Sequence, residues 1–381
     1  MTPFGLKEKP MMGRCFWRMC RAFSWLSLLV SMQVMSSSAN YTLVPVADNL
    51  DHPWSLVQLP DGSFLVTERS GQLLRVLPDG SRESIDGVPP SYFAGQGGLL
   101  DVVLHPKFDS NQVIYLSYAH GTPGANATAI TRATLRGKQL ENAEQILLVS
   151  PHKDTPQHYA GRMLFLPDGT LLLTVGEGFD YRETAQDIEN EMGKILRIND
   201  DGSIPDDNPF TNEKSRRIWS YGHRNAQGLV FDADNEVLYM HEHGPRGGDE
   251  INVVLPGKNY GWPAITYGMD YSGAHVSPFT AAEGMEQPLL HWTPSIAPSS
   301  MALYTGEDFP QWRGDLLIGA LVDKEVRRVD LEDGEVVGQE SLFRELDARI
   351  REVSLGNDGR LYLLTDGEGA QLLRVDPAAV P

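Results

Sequence analysis

The sequence predicts an all-β protein with the architecture of a six-bladed β-propeller. Three observations lead to this prediction: frequent turn residues, short stretches in which apolar and polar residues alternate, and one strand-turn-strand pattern that recurs along the chain. The 381 residues include 37 glycines and 25 prolines, and Asp-Gly or Pro-Asp-Gly turns bound many of the apolar stretches. This composition favours many short strands over long helices.

The recurring pattern is a turn with Asp or Gly, an alternating strand, a gap, and a second strand that ends in Arg and an apolar residue. Six copies begin at Leu59, His105, Phe165, Val230, Trp312 and Gly356. One such sheet cannot bury both of its faces, whereas six sheets packed radially can. A pair of β-sandwiches is the alternative, but six copies of one motif argue against it.

Residues 1–39 have a different composition from the rest of the chain. A basic start is followed by an apolar stretch over 23–35 and by small residues over 36–39. This order predicts a secretory signal peptide, and the apolar stretch is shorter than the about 20 residues of a membrane span. We therefore expect a catalytic propeller domain over 40–381 in a bacterial periplasm, with no membrane insertion after cleavage. An uncleaved N-terminal anchor is the alternative.

The charge of the chain limits its partners. The formal charge is −19, and loss of residues 1–39 makes it −23 because five basic residues and one acidic residue are removed. Such a protein is not expected to bind nucleic acid or anionic lipid through general electrostatics. Both cysteines, Cys15 and Cys20, lie in the signal segment, so we expect no disulfide in a mature monomer or homodimer.

Two motifs precede predicted strands and carry reactive side chains. HYAGR begins at His158, whose imidazole could act as a general base near neutral pH. YGHRNAQG contains Arg224, whose forked donors suit carboxylates and quinone oxygens. Each motif alone also fits a structural role, as a histidine before a strand or as an ion-paired surface loop.

A third motif extends from His241 to Pro263 and is rich in oxygen ligands. His241 and His243 have the spacing of two zinc ligands on one strand face, but no third soft ligand follows nearby. Carboxylates and glycine-linked carbonyls in the same motif suit calcium better. In a fourth motif, Arg349 and Arg351 lie on one face of a strand. Two like charges on one face favour an anionic ligand, with a solvated edge as the alternative.

In this order and combination, the motifs resemble those of the soluble PQQ-dependent aldose sugar dehydrogenases, where PQQ is pyrroloquinoline quinone. The resemblance runs from about Leu50 to the C-terminus. Its strongest segments are GQGGLLDVVLHPKF, HYAGR, GHRNAQG, GPRGGDEIN, NYGWP, TPSIAPSS and RIRE. The family fold is a six-bladed propeller, which agrees with the prediction from the repeats.

The resemblance implies roles in the cofactor pocket. His158 matches the base that takes the proton of the anomeric hydroxyl while hydride passes to the quinone C5 carbon. Arg224 and Asn225 match residues that hold PQQ and polarise its C5 oxygen. The other matches to this pocket are Gln96, Tyr271, Arg349 and Arg351, the two last as ligands of the PQQ carboxylates.

The resemblance also implies two calcium ions. The carbonyl groups of Gly244 and Pro245 match ligands of a calcium that bridges the protein and PQQ. Glu250 and Tyr260 match ligands of a separate calcium, and Asp249 is a further candidate ligand.

Two departures from the family pattern bear on cofactor and substrate. Val322 stands where the family commonly has a lysine, and Lys324, expected two residues further on the same strand face, is the candidate substitute. Gln157 precedes the base where soluble glucose dehydrogenase has an acid, which favours a broad range of aldoses.

The sequence thus predicts a periplasmic quinoprotein oxidoreductase that oxidises aldose sugars to lactones with PQQ and calcium. An external electron acceptor, unspecified by the sequence, would take up the electrons. Two alternatives remain open at this point. One is a calcium-dependent propeller lactonase or hydrolase, and the other is a non-catalytic propeller that binds a sugar or a protein.

Overall fold

A computed structural model describes residues 41–378, and the predicted signal segment lies outside the described residues. The described chain forms six four-stranded antiparallel sheets, which confirms the prediction of a six-bladed propeller. We call the sheets blades I to VI in chain order. Each blade contains one of the six sequence repeats.

The strands have the following bounds. Strand β1 (Tyr41–Asp51) belongs to blade VI. Blade I contains β2 (Pro53–Gln58), β3 (Phe64–Glu68), β4 (Gln72–Val76) and β5 (Arg82–Ile85). Blade II contains β6 (Leu99–Leu104), β7 (Val113–Thr122), β8 (Ala125–Arg136) and β9 (Gln139–Leu148). Blade III contains β10 (Ala160–Phe165), β11 (Leu171–Val175), β12 (Lys194–Ile198) and β13 (Ile218–Tyr221).

Blade IV contains β14 (Ala226–Asp232), β15 (Val237–Glu242), β16 (Asp249–Val253) and β17 (Leu290–Trp292). Blade V contains β18 (Pro298–Leu303), β19 (Leu316–Ala320), β20 (Glu325–Glu332) and β21 (Glu335–Leu342). Blade VI contains β22 (Ile350–Leu355), β23 (Leu361–Thr365) and β24 (Glu368–Pro377). One short α-helix covers Phe108–Asn111, and 3-10 turns cover Arg182–Gln186, Pro310–Trp312 and Arg344–Leu346. No helix within 41–378 is long and apolar enough to cross a membrane.

Apolar layers hold neighbouring blades together. The alternating strands direct one row of side chains toward each adjacent blade, so that Leu65 and Leu73 of blade I pack with Ile114 and Leu116 of blade II. Equivalent layers join blades II and III and blades IV and V. Both faces of blade II are thereby covered by its neighbours, as the radial arrangement requires.

The first strand of each blade faces the central channel, and these six strands surround Arg162 of β10. Its guanidinium forms ion pairs with Asp101 of blade II at 3.3 Å and with Glu352 of blade VI at 2.9 Å. It also donates to the carbonyl of Gln227 in blade IV at 2.9 Å and lies 4.4 Å from the ring centre of Trp54 in blade I. Arg162 is therefore a shared partner of the inner strands.

The start and the end of the described chain meet in blade VI. Strand β1 pairs antiparallel with β24, so the outermost strand of the last blade comes from the beginning of the propeller. Leu50 of β1 is fully buried with Phe64 of blade I and Leu372 of β24. Hydrogen bonds of β1 and its apolar contacts thus close the ring.

We expect that Leu50→Ala lowers the free energy of unfolding by about 2–5 kcal/mol, because a cavity would form where blade VI meets blade I. Urea denaturation measures this change. Val337→Ala is the control, since Val337 of β21 is 52% exposed and its truncation should change the free energy by about 0.5 kcal/mol or less. Equal losses in the two variants would contradict a role of β1 in closure.

Candidate active site

Loops at one end of the inner strands place the reactive side chains together. The loop before β10 carries His158, and the loop after β11 carries Glu177. The loop between β13 and β14 carries Arg224 and Asn225, and the loop after β15 begins with His243. In antiparallel blades, the start of the first strand and the end of the second lie at the same edge. The fold therefore gathers these four loops at one mouth of the channel.

His158 and Glu177 form a buried pair. The imidazole Nδ1 lies 3.0 Å from the Glu177 carboxylate, and the main-chain N–H of His158 donates to Gln96 Oε1 at 2.8 Å. Because a carboxylate accepts from Nδ1–H, Nε2 is left as the basic nitrogen. Burial lowers the pKa of His158, while Glu177 acts in the opposite direction. The imidazole is thus held neutral and oriented, as a general base requires.

Arg224 has donors that are only partly used by the protein. Its Nη1 donates to the carbonyl of Gly244 at 2.8 Å and to that of His243 at 3.2 Å. Its buried Nε has no hydrogen-bond partner among the described residues. The guanidinium lies 5.3 Å from the ring centre of Trp262 and 5.9 Å from that of Tyr271. A buried donor without a partner lowers the stability of the fold. A ligand that places an acceptor near Nε would supply the missing hydrogen bond.

Aromatic side chains surround the opening next to the base. The ring of Phe179 lies edge-on to His158, with 5.1 Å between ring centres, and 6.2 Å from the nearly parallel ring of Tyr271. Tyr271 is 58% exposed. Arg182 and Asp270 form an ion pair of 3.3 Å beside these rings. An adjoining cavity of about 740 Å³ reaches from His243 and Pro245 to Val322. The opening is therefore flat-sided, partly apolar and large enough for a small organic ligand.

Basic side chains from blades VI and I form a second cluster. The Nε groups of Arg349 and Arg351 donate to the two carboxylate oxygens of Asp366, at 2.8 and 3.0 Å. Arg69 of the loop after β3 donates to the carbonyl of Gly97 at 3.1 Å. Burial and the nearby charge of Arg351 lower the pKa of Arg69. Arg349 and Arg351 share the carboxylate of Asp366, and Arg69 bonds to a main-chain carbonyl, so the cluster retains positive charge for an anion.

Two glutamates form a carboxylate pair behind Arg224. Glu242 of β15 and Glu250 of β16 are direct partners in the ladder. Glu242 accepts from His223 Nδ1 at 3.1 Å and from the main-chain N–H of Arg224, whereas the hydrogen bond of Glu250 comes from Asn252 Nδ2 at 3.2 Å. Burial raises the pKa of Glu250 to about 8, and Glu242 adds to the effect. A cation beside the pair would relieve this repulsion.

Comparison with known proteins assigns this arrangement to a family. The model of the glucose/sorbosone dehydrogenase family matches residues 50–374. The chain belongs to this family. Aldose sugar dehydrogenase YliI of Escherichia coli is 41% identical over 360 residues, covering 92% of this chain and 96% of that protein. Quinoprotein glucose dehydrogenase B of Acinetobacter calcoaceticus is 28% identical, covering 91% and 90%.

Solved structures of the glucose/sorbosone dehydrogenase family share the fold. The apo form of the soluble E. coli aldose sugar dehydrogenase matches with a TM-score of 0.85 and 40% identity, over 88% of this chain and 99% of that one. The PQQ-bound aldose sugar dehydrogenase of Streptomyces coelicolor matches with a TM-score of 0.73 and 28% identity, over 89% and 98%. These relatives support an oxidoreductase that acts on sugars.

Most of the predicted pocket residues of this glucose/sorbosone dehydrogenase homologue converge on the mouth. Gln96 fixes the backbone of His158, and the Asn225 side chain accepts the N–H of Ala160 at 3.1 Å. Arg224 contacts the carbonyl of Gly244, and Pro245 and Tyr271 line the same opening. The sequence motifs thus meet in space although they lie on different blades.

Lys324 does not occupy the expected position. Strand β19 ends at Ala320, and residues 321–324 form a turn in which Lys324 has a φ of 53°. Its Nζ donates to Asp347 at 2.8 Å, with both side chains exposed. The expectation that Lys324 shares a strand face with Val322 was therefore wrong, because the chain turns before it. Val322 itself lies at the rim and is 59% exposed.

The candidate metal ligands differ in how many of their oxygen atoms already bond to the protein. The Asp249 carboxylate accepts from the N–H of Gly244 at 2.9 Å, from Ser295 Oγ at 2.6 Å and from two further main-chain N–H groups, so its oxygens are committed to the protein. The Tyr260 hydroxyl bonds to the main chain of Val253 and Leu255. Within 41–378 no group of three His, Cys, Asp or Glu side chains is arranged to hold a metal. Of the predicted carboxylate ligands, Glu250 keeps the most free acceptor capacity.

Several site residues were missed at the sequence level: Arg69, Glu177, Phe179, Glu242 and Trp262. The available signal for Glu177 was its place just after strand β11, because that end of the strand adjoins the start of β10 and hence His158. No sequence pattern marked Arg69. Its loop in blade I lies next to Arg351 of blade VI only because the ring of blades closes.

His241 is fully buried in the channel wall. It packs so closely on Gly228 that a Cβ at this glycine would lie 2.2 Å from Nε2, and neither ring nitrogen has a partner in the described chain. Burial, with Arg162 nearby, lowers the pKa of His241 to about 3. As the pH falls through about 6.5, the His241 imidazole takes up a proton in the unfolded chain but stays neutral in the folded chain. His241 therefore costs stability as the pH falls from 6.5 toward 3.

We expect that His241→Leu makes stability less sensitive to acid, by about 1.4 kcal/mol for each pH unit below 6.5. Urea denaturation at about pH 7 and about pH 5 measures the difference for each protein. His275→Leu, at an exposed histidine, should behave as the wild type. An equal loss of stability between the two pH values in His241→Leu and in the wild type would contradict this role of His241.

Proposed function

We propose that the protein oxidises aldose sugars at the anomeric carbon to lactones, with PQQ as the hydride acceptor and His158 as the base. The observation that carries the proposal is the buried His158–Glu177 pair beside a mouth that is both aromatic and cationic. A base alone would suit many reactions. A base next to a site for a flat anion suits oxidation through a quinone cofactor.

The residues at the mouth fit PQQ. The cofactor is a flat quinone with three carboxylates, and the chain offers the Nε of Arg224, which lacks a partner, with the Arg69, Arg349 and Arg351 cluster. Trp262 and Tyr271 offer faces for a planar ring. Because the protein carries a formal charge of −19, this local positive charge is needed to hold an anion. The named residues would hold the cofactor at this mouth.

The roles of the protein groups follow from their contacts. PQQ, when bound, supplies the acceptor for the hydride that leaves the anomeric carbon. His158 Nε2 takes the proton of the anomeric hydroxyl, and Glu177 stabilises the imidazolium through Nδ1–H. Gln96 keeps the His158 backbone in position, and Arg224 places a positive charge where negative charge develops.

We also propose calcium at two positions. The Glu242–Glu250 pair, with the Tyr260 main chain, suits a hard cation because two carboxylates from paired strands line one small cavity. The carbonyls of Gly244 and Pro245 would hold a second ion at the mouth, where the Gly244 carbonyl accepts from Arg224. Asp249 supports the loop around these carbonyls through its hydrogen bond to Gly244.

The signal peptide predicted over residues 1–39 supports a periplasmic protein that passes electrons to an external acceptor. Gln157 and the open aromatic mouth support a broad range of aldoses. The Glu242–Glu250 pair also suits a calcium-dependent lactonase, which would need neither the free Arg224 donor nor the arginine cluster.

The test of the base is His158→Ala in protein reconstituted with PQQ and calcium. Sugar-dependent dye reduction should fall by at least about 100-fold, because general-base catalysis is lost. PQQ binding, followed by absorbance, should be retained. His275→Ala is the control at an exposed position. Dye reduction that persists in His158→Ala would overturn the role of His158, and lactone hydrolysis without PQQ would favour the lactonase.

Calcium binding has its own test in the protein without PQQ. Calcium should raise the thermal unfolding midpoint of the wild type, because it binds the folded carboxylate pair and not the unfolded chain. Glu250→Gln should abolish most of that rise, whereas Glu335→Gln, at an exposed carboxylate of β21, should preserve it. An equal rise in both variants would place the calcium elsewhere.

A further inference from the structure

Lys153 is a buried lysine that has no part in the proposed chemistry described above. It lies in the loop before β10 and is 5% exposed. Its Nζ donates to Asn126 Oδ1 at 3.1 Å and to the carbonyl of Thr155 at 2.6 Å, and it stands 3.5 Å from the ring centre of Tyr159. These partners are neutral, so the ammonium charge stays available to act on other groups.

Hydrogen bonds connect the partners of Lys153 to residues adjacent to His158 and to Glu177. Tyr159, which follows His158, donates its hydroxyl to Asn126 Oδ1 at 2.6 Å. Thr155 donates its hydroxyl to the carbonyl of Gly178, the residue after Glu177, at 2.5 Å. Lys153 thus ties together the two loops that carry the pair.

The charges around Lys153 and His158 give this position an electrostatic role. The Lys153 side chain packs against Gly178, where a Cβ would lie 2.8 Å from Lys153 Cδ, so its ammonium is within electrostatic reach of Glu177 and Asp154. The Asp154 carboxylate also accepts from the Tyr181 hydroxyl at 2.7 Å. His158 faces Glu177, Arg224, Lys153 and His243. Burial lowers the pKa of Lys153 to about 7, so its charge is present in the acidic range where a histidine would take up a proton.

We propose that Lys153 is a positioning residue whose ammonium group stands beside the His158–Glu177 pair and keeps a second proton off His158. The base would then remain competent at a lower pH than the His158–Glu177 pair alone permits. This inference rests on the proposed function only in taking His158 as the base. Its electrostatic content concerns the protein without PQQ.

The test compares the titration of the His158 imidazole in the wild type and in Lys153→Met, both without PQQ. Nuclear magnetic resonance of 13Cε1-labelled histidine follows the titration, and His158→Ala assigns the signal. Methionine keeps most of the side-chain length without charge, so the midpoint of His158 should rise by about 1 pH unit. An unchanged His158 titration in Lys153→Met overturns the proposal.

Lys194→Met is the matched control. Lys194 is also buried, and burial likewise lowers its pKa to about 7, but its Nζ donates to the carbonyls of Thr184, Ala185 and Met192. The charges that face it belong to Asp187 and Glu191. Its replacement should leave the His158 titration unchanged. A similar rise in both variants would mean that loss of any buried lysine is sufficient, and it would overturn the specific role.

A measurement on the wild type covers the case in which Lys153→Met does not fold. The 13Cε signal of Lys153 reports its own titration, which should have a midpoint above that of His158. A lysine that loses its proton before His158 does would overturn the proposal. Loss of sugar oxidation has no bearing on either titration, so failure of the proposed function is distinguishable from failure of this inference.

Discussion

One buried guanidinium organises the propeller. Arg162 contacts Trp54, Asp101, Gln227 and Glu352 of blades I, II, IV and VI, and its Nη2 lies 3.5 Å from the carbonyl of Ser299 in blade V. A charge at the centre of a protein is costly unless it is paired and hydrogen-bonded. The six inner strands must therefore approach closely enough to supply these partners. The geometry of the active-site mouth depends on that constraint.

The start of strand β10 connects the central guanidinium of Arg162 with the proposed base, His158. His158 and Arg162 belong to one HYAGR segment, so the residue that fixes the inner strands lies four positions from the base. Asp101 pairs with Arg162 and also accepts the N–H of Met163 at 2.7 Å. The strands of the propeller end where the loops with Glu177, Arg224 and His243 begin. Those loops can vary in sequence while their anchor points stay fixed.

The sequence was sufficient for the blades and for part of the site. Period-two alternation and turn residues locate all six repeats because each blade is a local unit. The motifs with His158, Arg224 and Arg351 stand at strand ends, where their positions follow from the blade order. Arg69 and Glu242 could not be predicted in the same way, because their roles come from contacts between blades or between adjacent strands. The predicted position of Lys324 was wrong because the alternation of apolar and polar residues does not reveal that the chain turns at this residue, which has a positive φ.

The central claim is that the cationic mouth holds PQQ next to a sugar that His158 deprotonates. Anaerobic titration of the purified protein with PQQ in the presence of calcium, followed by one equivalent of an aldose, tests it most directly. We expect saturable binding of one PQQ per chain and loss of the oxidised quinone absorbance when the sugar is added. No saturable binding, or a bound quinone whose absorbance is unchanged by a panel of aldoses, would contradict it.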